Sequence, residues 1–151
     1  MPREKAKLSP VSEPVDDYVL DEQVGFLMRV AMQRHTAIFT ARMVEGLTQT
    51  QFAALAKLYE VGPCSQNHLG RLIYLDAATI KGVVDRLIKR HLIETRADPE
   101  DGRRRVVALT EAGQTLVERS LAHASAISRK TLEPLSPREQ AALLELLRKL
   151  A

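Results

Sequence analysis

The sequence predicts a mainly α-helical fold that carries one small β-hairpin. Two observations point there. Cap-forming or acidic residues precede apolar-periodic runs six times, the mark of helix starts. One stretch, "LIETRADPEDGRRRVVALT" from Leu92 to Thr110, switches to a strand, turn, strand pattern. Seven prolines stand only near the start and at Pro63, Pro99, Pro134 and Pro137, so the long periodic segments are free of helix breakers.

The elements follow in order. Residues 1–17 mix proline, serine and charge without periodicity and are expected to form a flexible arm. A single folded domain is expected over 18–151. Asp21 precedes a long amphipathic run to about Val44. "TQTQ", Thr48 to Gln51, has the spacing of a capping box, in which side chain and backbone satisfy each other across the first turn. Ser65 opens a third helix, Asp76 a fourth and Thr110 a fifth. "SPRE" combines Ser136 as cap, Pro137 in the first turn and Glu139 at the capping-box position. Between the fourth and fifth helices, "DPEDG" supplies turn residues between two short strands. Three short helices and a hairpin, framed by long helices, make a winged helix-turn-helix.

The totals bound the function. A length of 151 residues suits one domain with a real core. A hydrophobic content of 45% excludes wholesale disorder. The net charge of +3 and pI of about 9.2 permit a polyanionic partner without demanding one. No apolar run approaches a membrane span, and the start lacks the apolar centre of a secretion signal. The lone Cys64 forms no internal disulfide, which agrees with a cytoplasmic protein. His35, His68, His91 and His123 are scattered, with no metal-ligand spacing and no phosphate-binding glycine loop. Neither an enzyme nor a cofactor is expected. A dimeric helical adaptor is a further rival, but it leaves the arginine-rich hairpin tip without purpose.

Projected at about 100° per residue, the fourth helix turns Ile80, Val83, Val84 and Leu87 inward and Ala78, Gly82, Asp85 and Lys89 outward. Small outward residues let a helix backbone sit deep in a major groove, where Lys81 reaches a base edge or phosphate. Ala77, Ala78, Thr79, Lys81, Gly82 and Arg86 are the candidate contacts. At the hairpin tip, Asp101 is expected to orient Arg103 by a bidentate pair. Arg104 and Arg105 are expected on alternate sides of the strand. A narrow minor groove attracts an inserted arginine, and other arginines neutralise phosphate. From Asp76 to Arg105 there are eight Lys/Arg against six Asp/Glu, so position matters more than net charge. Ser65, Gln66 and Asn67 open a helix whose free amides favour a DNA phosphate, or they are simply good capping residues.

The chain resembles the MarR family of transcription regulators over Leu20 to Ala151. "LDAATIKGVVDRLIKRHLIETRADPEDGRRRVVALTEAG" carries the likeness, with its "VDRL", its wing "DPEDGR" and its "LTEAG". The resemblance implies that Asp101 and Arg103 form the family's wing Asp-x-Arg motif and that residues 76 to 89 are its recognition helix. Members often carry serine or threonine and arginine where Ala78, Lys81 and Gly82 stand, so base-by-base contacts do not carry over. The resemblance further implies a homodimer through helices over 20–45 and 111–151, a winged lobe over 48–110, and usually repression. Leu116, Leu121, Ile127, Leu143, Leu144, Leu146, Leu147 and Leu150 exceed what a winged lobe needs to cover itself. A two-fold dimer predicts a near-palindromic double-stranded operator with half-sites about 34–36 Å apart.

Met28, Ala31, Met32, His35, Phe39 and Arg42 recur at three- and four-residue spacing on the first long helix. Buried together, His35 and Arg42 call for an anion, and an aromatic carboxylate stacking on Phe39 and Met32 fits. Alternatively, Arg42 pairs with a glutamate of a partner chain and His35 is a satisfied interface residue. Similar proteins bind small aromatic acids between the dimer helices and the winged lobe. "NHLGRLIYLDAATIKGVV" looks closest to regulators of aromatic-acid and nicotinate-type catabolism. Cys64 precedes a helix start, where the dipole lowers a thiol pKa, so a redox-responsive regulator is the alternative to a small packing residue.

Overall fold

Side-chain caps set the starts of five helices in the computed structural model, which describes residues 17–151. The order is α1 (Val24–Arg42), α2 (Gln49–Val61), α3 (Gln66–Leu72), α4 (Ala77–Lys89), β1 (Ile93–Ala97), β2 (Arg105–Leu109), α5 (Glu111–Leu132) and α6 (Pro137–Leu150). Thr48, Ser65, Asp76, Thr110 and Ser136 each accept a backbone N–H of the first turn. The capping boxes of Thr48 with Gln51 and Ser136 with Glu139 are both complete. Except for Asp17, the arm expected over 1–17 lies outside the described residues.

The first helix departs from expectation at both ends. Asp21 sits in a 3-10 turn, Leu20–Glu22, and α1 begins only after Gln23, without a side-chain cap. Gln23 instead donates its amide to the Val19 carbonyl at 2.9 Å. At the other end Met43 is already extended. Glu45 and Gly46 then take left-handed φ values of 56° and 62°, reversing the chain toward α2. Two such residues in succession end any helix.

The core sits where α2 meets α3, α4, α5 and the hairpin. Ile80, Val83, Val84 and Leu87 are buried with Leu55, Leu58, Leu69, Ile93 and Val107. β1 pairs antiparallel with β2, Ile93 opposite Leu109 and Ala97 opposite Arg105. The segment before α3 adds a short third rung: Cys64 and Val107 exchange backbone hydrogen bonds of 2.8 and 3.2 Å. This rung fixes α3 against the wing.

Leu116 and Ile127 belong to this protomer's own core, not to spare surface, because α5 packs them against α1 and α2. Leu121, Leu144, Leu146, Leu147 and Leu150 are exposed, and Leu143 is partly so. No residue of α6 is buried.

Candidate nucleic-acid interface

α4 divides cleanly. Its apolar stripe is buried, and Ala77, Ala78, Thr79, Lys81, Asp85 and Arg86 are exposed on the other side. Asp76 caps the helix by accepting the Thr79 N–H at 2.7 Å. That bond holds the Asp76 carboxyl below its usual range. Lys81 reaches along the helix to Asp85 at 2.7 Å. Gly82 is half-buried under a neighbour: a β-carbon there would stand 3.4 Å from Arg86 Nη1. The Arg86 guanidinium therefore lies back over the bare strip, and being the far end of a long exposed side chain it can swing away.

The wing tip is built by backbone bonds. Asp98 N–H donates to the Arg104 carbonyl at 2.9 Å, and Arg104 N–H to the Asp101 carbonyl at 3.0 Å. Asp101 does not make the expected bidentate pair with the Arg103 guanidinium. Its Oδ1 accepts the Arg103 backbone N–H at 3.1 Å, and its Oδ2 lies 3.7 Å from Arg104 Nε. The turn is too tight for the carboxylate to reach past the backbone amide two residues on. Asp101 thus fixes the main chain, and the exposed Arg103 side chain is left to extend outward. Arg104 and Arg105 both border one cleft facing α3. Arg104 still belongs to the turn, so strand alternation begins only at Arg105, which donates to Thr95 Oγ1 at 3.2 Å.

Ser65 caps α3 through the His68 N–H at 3.2 Å. Asn67 is exposed and Gln66 partly buried. The sequence reading passed over His68 and Arg71, which border the same cleft as Arg104 and Arg105. Their i, i+3 spacing put them on one helix face, but only the Cys64–Val107 rung turns that face toward the wing.

A family model described as the MarR family matches residues 47–104. The HTH-type transcriptional repressor NicR of Pseudomonas putida is 42% identical over 147 residues, which cover 95% of this chain and 93% of NicR. The chain belongs to the MarR family. Two solved structures are similar to this chain over most of its length. A probable transcriptional regulator from Pseudomonas aeruginosa matches with a TM-score of 0.86 and 53% identity, over 88% of this chain and 100% of that one. BpsR of Bordetella bronchiseptica, whose DNA binding is regulated by 6-hydroxynicotinic acid, matches with a TM-score of 0.83 and 40% identity, over 89% and 97%. As a MarR-family protein, the chain is a DNA-binding transcriptional regulator. Among the described residues, no helix is long and apolar enough to cross a membrane.

The MarR-type α1 does not bury its polar residues as the spacing suggested. Arg42 is exposed in the protomer, as is Met32 at 54%. Phe39 is 6% exposed and packs in the core, its ring centroid 6.3 Å from that of Phe52. His35 Nδ1 lies 2.8 Å from Thr131 Oγ1, and Arg34 donates to the Thr131 and Lys130 carbonyls. The reason is helical rotation: the stripe that meets α5 takes in His35 and Phe39, and leaves Met32 and Arg42 on its flank. Arg42 opens onto a cleft shared with Arg129, Lys130 and Glu133. Glu133 is held below the usual carboxylate range, first by its hydrogen bond with Lys130 and then by that cation's charge, with Arg34 and Arg42 adding to it. An acid of the same chain therefore already faces this cationic group.

Cys64 is half-buried against the core, and burial pushes its thiol up rather than down. Apolar packing outweighs any effect of the short helix that follows.

Proposed function

We propose that this chain is a homodimeric repressor that docks α4 in the major groove of a near-palindromic operator, inserts Arg103 into the adjacent minor groove, and is released by a small aromatic acid. It acts in the cytoplasm and without enzymatic chemistry. The observation that carries the docking mode is the split of α4: an apolar face locked in the core and an open face of small and cationic residues. Ala77, Ala78, Thr79 and Lys81 face the bases, and Arg86 lifts off Gly82 to reach a phosphate. Ser65, Gln66, Asn67, Arg104 and Arg105 hold the flanking backbone. Dimerisation is supported by Val24, Leu27, Met28, Leu146 and Leu150, each half or more exposed on the terminal helices. Apolar patches of this kind mark protein contacts.

The effector is read as a pyridine or benzene carboxylate, since BpsR responds to 6-hydroxynicotinic acid. Its carboxylate meets Arg42, with Met32 against the ring and with His35 and Phe39 forming the wall behind. Release requires that the acid bind more tightly to a dimer geometry whose α4 helices no longer match successive grooves.

Anisotropy titration of duplexes from the chain's own promoter region tests both parts. Arg103→Ala is expected to cost about 1–3 kcal/mol of operator affinity. Adding 6-hydroxynicotinate, nicotinate or benzoate is expected to weaken wild-type binding, and Arg42→Ala to blunt that response. Wild-type affinity from Arg103→Ala removes the wing role; indifference to all three acids removes the effector class. A redox regulator acting through Cys64 has less support, because burial disfavours the reactive thiolate.

A further inference from the structure

The open cleft between α3 and the wing, about 560 Å³ in volume, is lined by two cationic or titratable residues, His68 and Arg71, to which the docking mode above gives no role. Arg71 and His68 of α3 border it on one side, Arg104 and Arg105 of the wing on the other. Its two walls are pinned by the reciprocal backbone bonds of Cys64 and Val107. The facing cations are therefore held at a set spacing before any ligand arrives. The acids nearby are largely engaged. Asp98, at the rim, accepts the Glu100 backbone N–H at 2.9 Å, and Asp101 holds the Arg103 amide with one oxygen and lies 3.7 Å from Arg104 Nε with the other. Arg71 has no carboxylate within salt-bridge distance among the described residues, and neither does Arg105. Glu100, exposed at the same rim, is the one acid there whose carboxylate has no partner among the described residues. Arg104 is paired with Asp101, so Arg71 and Arg105 are the two guanidiniums of this open cleft that have no acid partner among the described residues.

We infer that this cleft clasps a backbone phosphate of the operator, with Arg71 as a DNA-contact residue that works opposite Arg104. The inference rests on the docking mode proposed above and extends it. Arg104 directly follows Arg103, so a duplex strand whose minor groove holds Arg103 runs its phosphates past the wing base and toward α3. Guanidinium groups on both walls suit a diester, because each can offer a pair of N–H donors to its two free oxygens. The phosphate is read as part of DNA, not as a free anion, because the cleft adjoins the wing tip, where Arg104 directly follows Arg103.

The test is the salt dependence of duplex binding, since each phosphate neutralised contributes about 0.9 to the slope of log K against log salt. Arg71→Gln is expected to weaken operator and random duplex by the same factor and to make the slope shallower by about one phosphate. Arg71→Lys is expected to keep most of the slope, because an ammonium still neutralises charge. In the pair Arg71→Gln with Arg104→Gln, the losses are expected to be less than additive, as for residues that share one partner. A slope unchanged in Arg71→Gln while Arg103→Ala loses affinity overturns the clasp and leaves the docking mode intact. Failure of the wild type to bind any duplex is instead a failure of the docking mode itself. Inorganic phosphate supplies the remaining arm. If it raises the melting temperature of wild type but not of Arg71→Gln, and the DNA slope does not change, the cleft is a small-anion site and the assignment to DNA is wrong. Arg71 is exposed, so all variants are expected to fold, which circular dichroism checks.

Discussion

Lys81 and Asp85 close a 2.7 Å ion pair along the open face of α4. Both side chains are more than half exposed, so the pair adds little to stability, about 0.3–0.5 kcal/mol. Its consequence is for DNA. In the free protein Lys81 is turned toward a carboxylate, and on docking that carboxylate approaches phosphates. Asp85→Asn is expected to tighten binding to any duplex by roughly 1 kcal/mol, about fivefold, at low salt. The gain should fade as salt screens it. Weaker binding by Asp85→Asn at all salt concentrations, measured by anisotropy, would mean that Asp85 itself makes a favourable contact.

Gly82 separates stability from function. In the free helix a β-carbon there meets only the end of the Arg86 side chain at 3.4 Å, an ordinary contact with a group that can move. Alanine is also the better helix former, by about 0.8–1.0 kcal/mol. Gly82→Ala should therefore raise the melting temperature. If the α4 backbone seats deep in a groove, the same methyl group should lower operator affinity. A variant that is more stable and binds equally well would show that the helix stands off from the bases.

The Asp76 cap gives α4 a defined acid limit. Accepting the Thr79 backbone N–H depresses the Asp76 pKa. For a carboxyl lowered on folding, the contribution is complete above its unfolded value, about 3.9. It is lost as pH falls through the lower folded value. The cap should persist through the neutral range and release only in acid. The Thr79 amide shift, followed by NMR, should titrate with Asp76 below that unfolded value. In Asp76→Asn, which still caps, that titration should vanish. A Thr79 amide that titrates unchanged in Asp76→Asn would assign the effect to another group.

Much of this was legible in the sequence because it is local. Thr48, Ser65, Asp76, Thr110 and Ser136 act within one turn of themselves, so their cap roles follow from residue type and spacing. The inward stripe of α4 follows from helical period alone. The start of α1 was not legible, since Asp21 has the right chemistry for a cap but the chain first makes a 3-10 turn. The exposure of Arg42 was not legible for a different reason. Its spacing from His35 and Phe39 is helical, but which edge of a stripe is buried depends on where α5 lies. Asp101 illustrates a third limit. The Asp-x-Arg spacing names two partners, yet only the turn geometry decides that the bond goes to the Arg103 backbone. The cleft beside Arg71 needed the Cys64–Val107 rung, a contact 43 residues apart in sequence.

Gly113 is where the fold tolerates no side chain. It lies in the first turn of α5, buried against the end of the α4–β1 connection. A β-carbon on Gly113 would stand 1.9 Å from the Leu92 carbonyl oxygen, which is backbone and cannot rotate aside. That carbonyl is also committed, accepting the Thr110 N–H at 3.1 Å. Thr110 in turn donates its hydroxyl to the His91 carbonyl at 2.7 Å and caps α5 through the Gly113 N–H at 3.0 Å. Gly113→Ala must therefore push α5 away from the α4–β1 connection, stretching the two hydrogen bonds from Thr110 to His91 and Leu92. Overpacking alone costs about 1–3 kcal/mol, and the lost bonds add about 1 kcal/mol each. The gain in helix propensity, about 1 kcal/mol, does not offset this. Urea denaturation should show a lower midpoint for Gly113→Ala than for wild type. Operator affinity should fall with it, because the same displacement tilts the wing that carries Arg103. A midpoint equal to wild type would mean that α5 can shift freely against the winged lobe.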